Sequence, residues 1–235
     1  MVPGKSAAIV QSNYIPWKGY FDLIARVDEF VLYDDMQYTR RDWRNRNRIK
    51  TLQGVHWLTI PVEVKGKYFQ RIRDTVVSDE RWAREHWQTL QHSYRRAPHF
   101  AGYRDRLADI YERAQSLGLL SEINHLFLSA VCEMLAIPTR ITWSSDYRLT
   151  EDRTERLVDI CRQVGATEYV SGPAARAYMD ETRFATAGIT LTYMDYSGYP
   201  EYPQLHPPFE HGVTALDLLF NTGANAPTYM SYVGR

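Results

Sequence analysis

Two cysteines in 235 residues, Cys132 and Cys161, are too few for a disulfide scaffold and have no paired spacing that suggests a zinc site or a redox motif. A reducing compartment is the resulting expectation. An excess of one charge is also lacking: Lys plus Arg and Asp plus Glu each total 28, for a formal net charge of zero. Nothing global therefore points to nucleic acid or an anionic bilayer as partner. No apolar run reaches the roughly 20 residues of a membrane-spanning helix. The opening MVPGKSAAIV has one lysine and no long apolar core, so no signal peptide is expected. The seven histidines contain no i, i+4 pair with an acid beside it, and no metal site is read from them. Repeats and low-complexity tracts are missing too. What these absences leave is a cytoplasmic chain forming one α/β domain over residues 1–235, long enough to bury a sizeable core.

What is present is most informative between residues 7 and 50. Residues 7–10 form an apolar run of strand length, and 11–19, QSNYIPWKG, are punctuated like a loop. From Tyr20 the apolar residues Phe21, Leu23, Ile24 and Val27 recur at helical spacing, and 30–33 is again a strand. This is a βαβ unit, which puts the loop after the first strand and Asp34-Asp35 after the second on one sheet edge.

Further along, residues 57–64 are rich in β-formers, with Pro61 arguing for an edge or a strand end. Helices are predicted over 82–92, 103–115 and 122–135, a helical insertion spanning about 78–136. Alternation then returns: a strand at 139–143, a helix over 155–164 capped by Thr154 and closed by Gly165, and a strand at 168–170. Ser171-Gly172-Pro173 opens a helix predicted to reach about residue 184, and a strand follows over 188–194. A tyrosine- and proline-rich loop at 196–208 precedes a short helix at 214–220. Such alternation predicts a three-layer, Rossmann-like α/β fold with a mainly parallel sheet.

The segments QSNYIPWKGYFDLIARVDEFVLYDD, QYTRRDWRNRNRIK, TEYVSGPAARAYMD and ALDLLFNTG resemble the WbqC-like family, in that family's order and over nearly the whole chain. The resemblance implies a bacterial protein associated with O-antigen or other surface-polysaccharide synthesis and a transferase role in sugar modification. A weaker similarity is architectural. In nucleotidyltransferases and class I aminoacyl-tRNA synthetases a His-x-Gly-His signature after the first strand holds ATP phosphates, and Trp17-Lys18-Gly19-Tyr20 stands in the corresponding place here. Gly19 suits close backbone approach to an anion at a helix N-terminus. Both histidines are missing, so the resemblance carries over the nucleotidyltransferase-like fold and not the adenylating chemistry.

Arg40, Arg41, Arg44, Arg46 and Arg48 lie within nine residues, interleaved with Asp42, Trp43, Asn45 and Asn47. They read either as a solvated turn or as an anion clamp, in which guanidinium forks grip phosphate or carboxylate and Trp43 stacks on a base or sugar. The clamp is the working expectation, with Arg41, Arg44, Arg46 and Arg48 on phosphates, Gln11 and Asn13 beside them, and Trp17 and Trp43 as stacking faces. Asp34 and Asp35 can hold Mg²⁺ or pair with Arg41 or Arg44. Ser171 and Gly172, where a strand meets a helix, form a second anion site or a simple cap. His92 and His99, or His206 and His211, are candidates for a general base, with His92 and His206 taken as catalytic. The expected partner is an anionic small molecule, nucleotide-linked or phosphorylated, rather than nucleic acid; these patterns name no cofactor. The expected activity is a transferase of bacterial sugar or surface-glycan biosynthesis, in the form of acyl or aminoacyl transfer to an amino sugar or nucleotide-sugar. The alternative is a noncatalytic nucleotide- or anion-binding protein.

Overall fold

In a computed structural model, which describes residues 4–234, five parallel strands form one sheet: β1 (Lys5–Val10), β2 (Glu29–Leu32), β5 (Arg140–Trp143), β6 (Ala166–Ser171) and β7 (Thr190–Tyr193). The signal-peptide reading of Met1 to Pro3 lies outside the described residues. Strand order is β5-β2-β1-β6-β7, so the chain winds outward from β1 in one direction and then returns to wind outward in the other. The reversal falls between β1 and β6.

Both faces of the sheet's centre are buried, which is why β2 and residues 7–10 of β1 are almost wholly apolar. Ala8, Phe30, Leu32 and Val170 point to one core. That core is covered by α1 (Lys18–Ala25), α2 (Trp82–Tyr94), α3 (Phe100–Gln115), α4 (Leu120–Met134) and α7 (Ala215–Thr222). Ala7, Ile9, Val31 and Tyr169 point to the other, covered by α5 (Arg153–Val164) and α6 (Glu181–Thr186). Three layers and a doubly wound, Rossmann-like topology result. Cys161 belongs to the second core; both cysteines are free and buried.

Three local expectations change. Arg46–Thr51 and Gly54–Thr59 pair as an antiparallel hairpin, β3–β4, outside the main sheet. The strand expected over 57–64 therefore starts earlier and stops before Pro61, which has no N–H for a ladder. The helix expected after Ser171-Gly172-Pro173 divides into a 3-10 turn, Pro173–Ala177, and α6, because the Asp180 carboxylate accepts from Thr182 N and starts the second piece. The cap of α5 is Asp152 rather than Thr154, its side chain accepting from Thr154 N at 3.0 Å and Glu155 N at 2.8 Å. The closure at Gly165 stands: its φ of 76° is a left-handed conformation that glycine adopts without strain.

His86 is buried on α2, with Nδ1 2.9 Å from the Tyr14 hydroxyl, which in turn lies 2.8 Å from that of Tyr111. Burial pushes the imidazole down from 6.5 to about 4. The unfolded chain thus takes up this proton at higher pH than the folded one, and folded stability falls as pH drops from 6.5 through about 4. At about 1.4 kcal/mol per unit the effect is on the order of 3 kcal/mol. Urea unfolding across this range is expected to show a markedly flatter acid limb in His86→Gln than in the wild type; parallel limbs would contradict it.

Candidate functional site

Ligands of open α/β sheets bind beyond the carboxyl ends of the strands, where the strand order reverses. A cleft of about 510 Å³ lies there. Gln11 after β1, Tyr33 and Gln37 after β2, and Ser171-Gly172 at the end of β6 line it, with Arg153 from the first turn of α5 and Arg44 from the segment before β3. The loops expected to converge do meet. Asn13 lies against Arg44 and Asp34 is buried under Ser12 of the loop after β1, so neither lines the cleft itself.

Arg44 is the organising side chain. One terminal nitrogen donates to the Asn13 side-chain oxygen and the other to that of Gln11, while Asp42 stands 3.7 Å away. Its side chain is only 13% exposed, and its Nε is buried with no partner. Backbone geometry is fixed from behind: Asn124 Nδ2 donates to the Arg44 carbonyl at 2.9 Å and to Ser12 Oγ at 2.9 Å. Ser12 N donates to Asp34 Oδ1 at 2.8 Å, and Ser121 Oγ donates to Asp34 Oδ2. Burial raises the Asp34 carboxyl above its usual range, against the pull of these hydrogen bonds and of Arg44.

Asp34 and Asp35 accordingly do not act together. Asp35 faces the other way, 3.0 Å from Arg73, 3.5 Å from Arg71 and 2.7 Å from Ser144 Oγ. Neither carboxylate is paired directly with Arg41 or Arg44, and their divergence leaves no shared cation position. Among the described residues no cluster of three His, Cys, Asp or Glu side chains is arranged to hold a metal.

A four-arginine clamp does not form. Arg41 is exposed, with φ of 59°, and its carbonyl accepts from Arg46. Arg46 and Arg48 lie two apart on one face of β3, since strand side chains alternate, while Asn45, Asn47 and Ile49 are buried. Arg46 stacks on Trp57, 4.1 Å from its ring centre. Arg48 Nε donates to the Gly212 carbonyl at 2.8 Å, and the guanidinium stands 3.7 Å from Glu210.

Arg48 instead lines a second, smaller pocket of about 290 Å³ with Asn13, Trp17, Trp43 and His211. His211 is the imidazole that sequence reasoning named without selecting. His92 is exposed in the last turn of α2, and His206 Nε2 lies 3.3 Å from the Ser93 carbonyl; neither lines either cavity. Arg153 lines the cleft without any sequence signal to single it out: no residue spacing separates it from Arg156, which is tied to Thr150 O and Glu151 O.

Gly19 has a different purpose from the one expected. A Cβ there would lie 2.4 Å from the Trp17 ring, so the glycine admits an indole rather than a ligand. Trp17 is held in turn by Tyr196 and Tyr199, with ring centres at 5.1 and 5.7 Å. Tyr20 is buried and donates to the Gln11 carbonyl at 2.9 Å, which helps hold the cleft loop. Lys18 is buried too; its ammonium donates to Pro200 O at 3.0 Å, and burial lowers its pKa to about 8.

A model of the WbqC-like protein family matches residues 11–229. An uncharacterized protein of Mycobacterium tuberculosis, Rv1507c, is 56% identical over 228 residues, covering 97% of this chain and 98% of that protein. No solved structure matches. The chain belongs to the WbqC-like family.

Gly19→Ala is expected to lose roughly 1–3 kcal/mol of stability, the usual range for overpacking. Adding Trp17→Ala removes the clash, so the double variant is expected to lose less than the sum of the singles. Chemical denaturation of the three variants gives the comparison. Strict additivity would mean that the indole is not what Gly19 accommodates.

Proposed function

We propose that the chain is a transferase of bacterial sugar or surface-glycan biosynthesis whose sheet-edge cleft takes a phosphate- or carboxylate-bearing substrate, in the form of acyl or aminoacyl transfer to an amino sugar or nucleotide-sugar. The observation that carries the anion is Arg44. Its fork is bound by two neutral amide oxygens, with one carboxylate only at 3.7 Å, at the sheet's reversal point. A charge-assisted, bidentate partner is worth more to a buried guanidinium than amides are. Arg153, which lines the same cleft, brings a second guanidinium to it. The glycan pathway rests on family membership, not on the geometry.

A second reading has its own support. The titratable groups lining the cleft are tyrosines and arginines, and burial raises the pKa of Tyr33 and Tyr169 further. A general base working near neutral pH must come from elsewhere, and His211 in the adjoining pocket is the imidazole available. Without it, the site binds and does not catalyse.

Calorimetric titration with UDP tests the anion site. Arg44→Ala is expected to weaken binding by about tenfold or more, the loss of a hydrogen bond to a charged group. Arg46→Ala, whose guanidinium lies on Trp57, is expected to bind within about twofold of wild type. Equal losses in both variants, or none in either, would refute the assignment of the anion to Arg44. A UDP-linked amino sugar that binds but is recovered unchanged after incubation with acyl donors would favour the noncatalytic reading.

A further inference from the structure

We infer that the pocket beside the cleft takes one sugar ring, a hexopyranose or its amino derivative, laid against Trp17 and Trp43. The inference rests on the transferase reading only in making this ring the acceptor; the binding itself stands on the pocket's own chemistry.

Both indoles are held in place by neighbours. Trp43 packs at 5.3 Å on Trp57, with the Arg48 guanidinium 5.6 Å from its ring centre, and Arg46 in turn lies over Trp57. Trp17 is wedged between Tyr196, Tyr199 and Gly19. Rigid aromatic walls bind without further loss of side-chain freedom. Yet Trp43 is 40% exposed, an apolar surface that packing does not use up. A pyranose presents a face of C–H groups and a rim of hydroxyls, and it matches an aromatic wall with polar groups at the edge.

Those polar groups are present. The side-chain oxygen of Asn13 is engaged by Arg44, which leaves its amide N–H groups for the pocket. Arg48 is locked through Nε to Gly212, where any side chain would strike Arg48 Nη2 at 2.0 Å. His211 stands at the edge, exposed. Glu210, 3.7 Å from Arg48, offsets that cation, so the pocket lacks the unbalanced charge that marks the cleft. At about 290 Å³ it lies at the floor of the roughly 300–1,000 Å³ range of ligand pockets, room for one ring rather than a nucleotide-linked sugar. Asn13 belongs to its wall and also contacts Arg44 of the cleft, so a ring held here sits next to whatever Arg44 binds.

The test is a titration of ¹⁵N-labelled protein with methyl α-D-glucopyranoside and with D-glucosamine, followed through the indole N–H signals, with UDP titrated separately. Either sugar is expected to shift Trp17 and Trp43 saturably while the buried Trp82 stays still, and Trp43→Ala is expected to weaken binding by about tenfold or more. Trp43 is partly exposed, so this variant folds; if it does not, His211→Ala, at an exposed site, is expected to weaken the same binding. Indoles unmoved by both sugars, or sugar affinity unchanged in the variant, would overturn the inference. Should UDP move Trp17 and Trp43 while the sugars do not, the pocket belongs to the nucleotide, and the Arg44 assignment survives. Sugar binding with no UDP binding would uphold this pocket and overturn the anion reading.

Discussion

A buried carboxylate holds the site together. Asp34 follows β2, is 1% exposed, and accepts hydrogen bonds from the backbone of Ser12 after β1 and from Ser121 of α4. Burying such a group is costly unless it is hydrogen-bonded, so these contacts are required by its position. Their effect is to tie the loop after the first strand to the helical layer. Asn124, one turn along α4 from Ser121, extends the tie to Ser12 Oγ and to the Arg44 carbonyl. Sheet, helices and the arginine segment thus meet in one network, and Arg44 inherits its position from it.

That position is electrostatically incomplete. Arg44 has amide oxygens at two nitrogens, a carboxylate at 3.7 Å, and an Nε with no partner. Arg46 also has a buried Nε with no partner, but its guanidinium lies on Trp57 and donates to the Arg41 carbonyl, while Arg48 is held by the Gly212 carbonyl and Glu210. The distinction between a structural arginine and a binding arginine comes from these partners and not from sequence proximity. Two further buried carboxylates serve the outer frame. Asp22 accepts from the Tyr199 hydroxyl and from the backbone of Ser231 and Tyr232, and Asp217 accepts from the Tyr94 and Tyr202 hydroxyls. They fix the tyrosine-rich segment that backs Trp17.

The parallel sheet was legible because its first two strands are buried on both faces and read as apolar runs, and because the convergence of post-strand loops follows from parallel topology alone. The β3–β4 hairpin was not. Its buried face begins with the amides Asn45 and Asn47, which bond to Ile60 O and to Tyr14 O and Ile15 O, so no alternation of apolar and polar residues marks it. Without the hairpin the five arginines look equivalent. Gly19 was not legible for a similar reason: a glycine at a helix start suits a ligand or a neighbouring side chain equally, and here the Trp17 indole fills the space. His206 and His211 share one loop without periodicity, and nothing in the order of residues says which of them turns toward Trp43.

An anion is needed to complete Arg44, and a structure of the protein crystallised with UDP tests this most directly. The prediction is a phosphate oxygen about 3 Å from an Arg44 nitrogen, in the cleft floored by Gln11 and Ser171-Gly172, with the Asp34–Ser12–Asn124 network unchanged. UDP seated elsewhere, with Arg44 still turned only to Gln11 and Asn13, would contradict it.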